Sequence, residues 1–260
     1  MSTHNTSKIN QLLASVPAGA VLQSSWLVEQ GYSLDLQKRY RHSNWLKSIG
    51  NGAMVRTKDQ VDYEGGVYAL QHQSAMSVHI GGRTALSQLG LLHYLELNQS
   101  RVTLFGAKNE TLPTWFKNWN WAVKIEYYRT AFLPADEGLT TIKINALNLK
   151  ISNALRAILE CLYLAPQKQE LMECYEIMEG LNNFHPLQVQ SLLEKCTSVK
   201  VKRLFLYLSE KAGHSWFNKL DFSKIELGSG KRSIVKDGVY IKKYLITVPK
   251  ELERKIVIES

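Results

Sequence analysis

The sequence predicts an α+β chain with an N-terminal winged helix-turn-helix, followed by a mixed α/β C-terminal region with a small sheet and a helical segment. Three observations carry this reading. Three short helical patterns precede residue 44, a hairpin signal at Gly50-Asn51-Gly52 follows them, and strand-like runs beyond Asp59 give way to helical periodicity at Asn153.

Lys8 to Val16 places Ile9, Leu12, Leu13 and Val16 at helical spacing, and Pro17 and Gly19 close it. Ser24 and Ser25 are suited to cap a short segment around Trp26 and Leu27, and Gly31 ends it where a left-handed residue is wanted. Ser33 caps a third segment, Leu34 to Ser43. Helix, glycine-bearing turn and helix is the helix-turn-helix pattern. Leu36 and Tyr40, four apart, are expected to face the core. Asp35, Lys38, Arg41 and His42 fall on another face, flanked by Gln37 and Arg39. Trp45 to Ile49 and Ala53 to Arg56 read as the two strands of the wing, with Lys47, Asn51 and Arg56 on or near it.

Arginine and lysine bond guanine edges or phosphates, and glutamine pairs with adenine. The candidate DNA-binding set is therefore Gln37, Lys38, Arg39, Arg41, His42, Lys47, Asn51 and Arg56. A solvated helix face is the other reading of the same residues. Trp26, Tyr40 and Trp45 are expected in core roles, which leaves no aromatic platform in this part for single strands.

Farther along, Val61 to Gln73 reads as a helix, Val78 to Ile80 as a short strand, and Gly81-Gly82 as a turn into a helix from Arg83 to Leu89. Strand-like runs span Arg101 to Phe105, Ala122 to Arg129 and Leu139 to Ile151, with a short helix at Leu112 to Lys117. Past Asn153, Leu155, Ile158, Leu159 and Leu162 share a helix face. Helices are then expected at Leu171 to Leu181, Pro186 to Cys196 and Val199 to Lys211. Ser233 to Val248 alternates and is broken by Asp237-Gly238, the mark of a hairpin. The expected organisation is residues 1–58 as a winged-helix DNA-binding domain and 59–260 as a second region. The latter divides into an α+β part (about 59–152), a helical part (about 153–213) and a terminal hairpin (about 228–248).

The chain carries 32 Lys plus Arg against 23 Asp plus Glu, a formal charge of +9, and is 45% hydrophobic, too apolar for a disordered chain. Charge is unevenly placed: +5 in residues 1–58, −3 in 59–198 and +7 in 199–260. Separated basic blocks suggest modules with different partners. In the last block Lys200, Lys202, Arg203, Lys231 and Arg232 form a candidate basic surface. No uninterrupted apolar stretch reaches the roughly 20 residues of a spanning helix. Met1 to Asn10 lacks the features of a secretory signal, so no membrane association and a cytoplasmic location are expected.

Cys161, Cys174 and Cys196 read as reduced core thiols. Gly228-Ser229-Gly230-Lys231-Arg232 is not a Walker loop: Ile225 stands where its first glycine belongs and Arg232 where its hydroxyl belongs. Ser233 likewise breaks the dinucleotide pattern, which leaves a basic turn. His4, His42, His72, His79, His93, His185 and His214 show no metal pairing, and no G-x-S-x-G elbow is present. Glu173, Glu176 and Glu179 read as an acidic helix face, and Trp115, Trp119, Trp121, Tyr127 and Tyr128 as core. No catalytic residue, metal or cofactor is expected.

Five blocks in order resemble the AbiEi family, antitoxins of bacterial abortive-infection, type IV toxin-antitoxin systems. They are Ser24 to Gly31, Gln37 to Gly52, Ser77 to Leu86, Ser198 to Phe205 and Gly228 to Arg232, and the likeness runs from about Ile9 to Pro249. The resemblance implies a winged-helix domain that binds inverted repeats of double-stranded DNA in its own operon promoter and represses it. It also implies a C-terminal antitoxin domain and a role in phage defence. The implied toxin is a nucleotidyltransferase, with no stable complex required. This chain lacks the Gly-Ser plus Asp-x-Asp pattern of such enzymes and reads as the non-enzymatic partner. One winged helix reads a short site, so two copies are expected on an inverted repeat, met by monomers binding cooperatively. Two other readings of the basic C-terminal block stay open: an RNA- or nucleotide-processing enzyme, and a protein-interaction module for an acidic partner.

Overall fold

The computed structural model describes residues 7–92 and 101–253. His4, His93 and the tail after Glu253 lie outside the described residues. The chain begins with α1 (Lys8–Ser15), β1 (Leu22–Gln23), α2 (Ser24–Glu29), α3 (Leu34–His42), β2 (Leu46–Gly50) and β3 (Ala53–Arg56). It continues through α4 (Tyr63–His72), β4 (His79–Ile80), α5 (Gly82–Gln88), β5 (Arg101–Ala107), α6 (Thr114–Asn118), β6 (Lys124–Thr130), β7 (Leu139–Ile144) and β8 (Leu147–Ser152). The helices α7 (Ala154–Leu164), α8 (Leu171–Gly180), α9 (Pro186–Lys195) and α10 (Val199–Lys211) follow. The described chain ends with β9 (Arg232–Ser233), β10 (Val239–Ile241), β11 (Ile246–Val248) and α11 (Lys250–Glu253). Two compact units emerge, one from residues 1–79, 98–129 and 140–151, the other from 80–97, 130–139 and 152–260.

In the first unit, the side-chain oxygens of Ser7 and Ser33 cap α1 and α3. Ser24 lies inside α2 and caps nothing. Gly31, with φ of 83°, supplies the left-handed turn between α2 and α3. The two-residue β1, too short to register as a pattern in sequence, pairs antiparallel with β3 to give the sheet order β1-β3-β2. Three helices on a three-stranded sheet with a hairpin complete a winged helix. Leu12, Leu22, Leu27, Leu46 and Val55 are each at most 1% exposed. Burial of each such side chain contributes about 1.5–3 kcal/mol.

Trp45 departs from its expected core role and is 47% exposed. Leu46 points inward at 1% exposure, and the alternation of extended backbone sends the residue before it outward. A five-stranded sheet, ordered β6-β5-β4-β8-β7, occupies the rest of this unit. The run expected as one strand is broken by Asn145, at φ 54°, into β7 and β8. Gly65 on α4 permits a close approach: a Cβ there would collide with the Gly19 carbonyl, and the Gly65 carbonyl accepts the Val21 N–H at 3.1 Å.

In the second unit α5, α8 and α10 pack on α7. Leu155 through Leu162 of α7 and Val201 through Ser209 of α10 are all buried, so both are central helices rather than helices with one buried face. Glu160, fully buried, accepts the Arg156 Nε–H at 2.8 Å, the Ser152 hydroxyl at 2.7 Å and the Gly82 N–H at 2.8 Å. Arg156 also donates to the Pro134 carbonyl at 2.6 Å, so this pair ties four segments together.

The terminal hairpin is β10 with β11, and its turn falls at 242–245 instead of at Asp237-Gly238. Leu245, at φ 53°, makes the reversal, and β9 joins parallel to β11. Cys161, Cys174 and Cys196 are buried and unpaired. Among the described residues no helix is long and apolar enough to cross a membrane, and no cluster of metal-ligating side chains forms.

Candidate nucleic-acid interface

The winged helix places α3 beside the wing turn. Ser33 accepts the Leu36 N–H at 3.3 Å, and the Ser24 N–H donates to the Gly52 carbonyl at 2.8 Å, which fixes the start of α2 to the wing tip. Between α3 and the wing lies a groove of about 580 Å³, lined on the helix side by Leu34, Asp35, Lys38 and Arg41 and on the wing side by Ser48 and Asn51. Lys38, Arg41 and Asn51 are exposed, and neither cation is in an ion pair among the described residues.

Helix geometry separates the other expected residues. At about 100° per residue, Leu34, Lys38 and Arg41 form one stripe, whereas Arg39 points about 160° away from Arg41, on the far flank of α3. His42 is exposed on the outward face, and Lys47 is exposed on β2. Neither lines the groove.

Two members of the expected set are internal. Gln37 is 1% exposed; its amide donates to the Tyr32 carbonyl at 2.8 Å and the Ser24 carbonyl at 3.1 Å, and its oxygen accepts the Ser24 hydroxyl at 2.6 Å. Both of its N–H donors go into fastening α3 to α2 and to the turn between them, so it holds α3 in place and has no free donor for a base. Arg56 turns inward as well. Its guanidinium donates to the Leu13 carbonyl at 2.7 Å and to the Val16 carbonyl, closing the C-terminal end of α1, with Asp59 3.9 Å away. Leu34 is the residue that sequence reasoning missed: 65% exposed, it sits in the groove with Lys38 and Arg41. Its place four and seven residues before those cations was the available signal.

The expected C-terminal surface also divides. Lys200 donates to the Tyr163 and Ala165 carbonyls at 2.7 and 2.6 Å, capping the end of α7, and burial pushes its ammonium below the usual lysine range. Lys202 and Arg203 are 3% and 1% exposed. Only Lys231 and Arg232 of the five lie on the surface.

Three helices, a twisted hairpin and a groove between the third helix and the wing define a winged-helix protein. The family comparison narrows this. Residues 5–97 match the family described as transcriptional regulator, AbiEi antitoxin N-terminal domain, and residues 99–249 match transcriptional regulator, AbiEi antitoxin, type IV TA system. The chain belongs to the AbiEi antitoxin family of type IV toxin-antitoxin systems. A similar solved structure is that of the RV2827C protein from Mycobacterium tuberculosis, with a TM-score of 0.60 and 13% identity over 92% of this chain and 88% of that one. A likeness at that identity speaks for the fold. None of the curated proteins matches the chain.

Proposed function

We propose that this antitoxin-family regulator is a DNA-binding autorepressor, which binds inverted repeats in its own operon promoter through residues 1–58 and counters a nucleotidyltransferase toxin through residues 59–260. The observation that carries the DNA half is the groove between α3 and the wing, where Leu34, Lys38 and Arg41 share one exposed stripe facing Asn51. A major groove admits one helix, the cations supply phosphate or guanine contacts, and the wing reaches the neighbouring backbone. Lys47 and His42, exposed outside the groove lining, add positive or hydrogen-bonding groups to the same module. On this reading the protein has no catalytic step of its own, works in the cytoplasm and needs no stable complex with the toxin. Two monomers occupy the two repeats cooperatively.

Gel shifts on the DNA upstream of the operon test it. A sequence-preferring complex that weakens as salt rises is expected. A protein that shifts unrelated duplex equally well, or shifts none, overturns the DNA half. Co-expression with the adjacent gene product tests the antitoxin half: rescue of growth by the full chain is expected, and toxicity undiminished by it refutes that half.

A further inference from the structure

The loop Gly228-Ser229-Gly230-Lys231-Arg232 plays no part in the winged helix, yet it is built around a buried charge. Arg203 of α10 donates from Nε to the Leu227 carbonyl at 2.8 Å, from Nη1 to the Gly230 and Leu245 carbonyls at 2.8 and 3.2 Å, and from Nη2 to the Gly228 carbonyl at 3.1 Å. Every one of these partners is a neutral carbonyl. The positive φ of Gly228 (62°) and Gly230 (81°) lets the loop turn its oxygens onto that guanidinium. The N–H groups of Gly228, Ser229, Gly230 and Lys231 have no internal partner among the described residues. Successive unpaired N–H groups in such a turn make an anion-binding concavity.

More cations gather at the same point. Arg232 N–H donates to the Leu245 carbonyl at 2.8 Å, and Leu245 N–H donates to the Lys242 carbonyl at 3.3 Å. Leu245 thus draws together Arg203 from beneath, Lys231 and Arg232 from one side, and Lys242 and Lys243 from the other. Among the described residues only Lys243 of these five is in an ion pair, with Glu210. Burial, and after it the charge of Arg232, pushes the Arg203 guanidinium below the usual arginine range, so the two cations feel each other. Beside them Tyr240 is 37% exposed, with Lys231 Nζ 5.1 Å from its ring centroid.

Like charges held this close repel unless an anion joins them. The backbones at Lys231 and Lys242 stand on either side of β11, about two strand spacings or 9–10 Å apart. Cations and free amides spread across three strands suit successive phosphates of a chain, and an exposed tyrosine offers a base a stacking face. We propose that this C-terminal edge is a second nucleic-acid site, separate from the winged helix, which binds the phosphodiester backbone of a single strand through Lys231, Arg232, Lys242 and the Gly228–Lys231 amides and stacks a base on Tyr240.

The test uses the full-length protein and a labelled 20-nucleotide single-stranded RNA of mixed sequence, with affinity followed by fluorescence anisotropy across a salt series. Lys231→Gln with Arg232→Gln, both at exposed positions, is expected to weaken binding at least tenfold and to lower the salt slope by about 1.4, two contacts at about 0.7 each. Tyr240→Ala is expected to weaken it at least fivefold with the slope unchanged. Lys38→Gln with Arg41→Gln is expected to leave RNA binding intact while reducing the duplex shift, and the Lys231/Arg232 variant to do the reverse. Failure of the wild-type protein to bind the RNA overturns the proposal. Loss of RNA binding in the Lys38/Arg41 variant, wild-type affinity in the Lys231/Arg232 variant, or equal displacement by poly-glutamate of matched charge does so as well.

Discussion

Removing the two groove cations offers a quantitative check on the proposed DNA interface. Lys38 and Arg41 are exposed, unpaired among the described residues and on the same stripe of α3, so each is positioned to neutralise one phosphate. Each lost phosphate contact lowers the slope of log affinity against log salt by about 0.9, and Lys38→Gln with Arg41→Gln should lower it by about 1.8. Between 50 and 200 mM salt, a fourfold change, the wild-type protein should therefore lose about twelvefold more affinity than the double variant. Gel shift or anisotropy on the operon duplex at four salt concentrations reads this directly. Arg39 is the internal control, because it has the same charge on the same helix but points about 160° away from Arg41. Arg39→Gln should leave the slope within about 0.3 of wild type. If Arg39→Gln flattens the slope as much as the double variant does, the groove is not the contact face, and net charge alone explains binding.

Three further outcomes follow from the geometry. Glu160→Gln strands the buried Arg156 charge and should cost about 3–5 kcal/mol, read as a lowered urea midpoint; a loss below about 1 kcal/mol refutes the role of the pair. Leu34→Ala should lower operon affinity about fourfold for each thymine methyl that Leu34 covers, at about 0.8 kcal/mol per methyl-sized contact, and should make the protein insensitive to thymine-to-uracil replacement at that base pair. An unchanged sensitivity removes Leu34 from the contact surface. Burial pushes all three thiols up, Cys174 to about 12, so the native protein at pH 8 should leave a thiol reagent unconsumed and the unfolded protein should consume three equivalents. A thiol that reacts at the free-cysteine rate before unfolding contradicts the packing of α7, α8 or the end of α9.

Local signals fared best where the responsible physics is local. Ser33 as a cap, Gly31 as a left-handed turn and the Asn51-Gly52 reversal each depend on a few neighbouring residues, and the third helix and the wing lie where those residues predict. Elements set by distant partners were less readable. The two residues of β1 become a strand only because β3, thirty residues on, supplies the pairing. In the terminal hairpin, Asp237-Gly238 carries the stronger turn signal, but the parallel pairing of β9 with β11 draws that stretch into a connecting loop and moves the reversal to Leu245.

The same distinction governs the charged residues. A count of basic groups treats Arg203 and Arg232 alike, but Arg203 falls in the stretch of α10 that is buried all round and can only turn its charge toward carbonyls inside the protein. Gln37 and Arg56 follow that rule in the winged helix: one sits a turn from Tyr40 on the inner face of α3, the other ends a strand whose preceding three residues are buried. Lys38 and Arg41 escape it because Leu34, the apolar residue on their stripe, is itself exposed, so nothing pulls that stripe into the core. For a basic residue, the burial of its neighbours on the same face, three and four positions away on a helix and two away on a strand, decides whether the charge faces a partner or a carbonyl of its own chain.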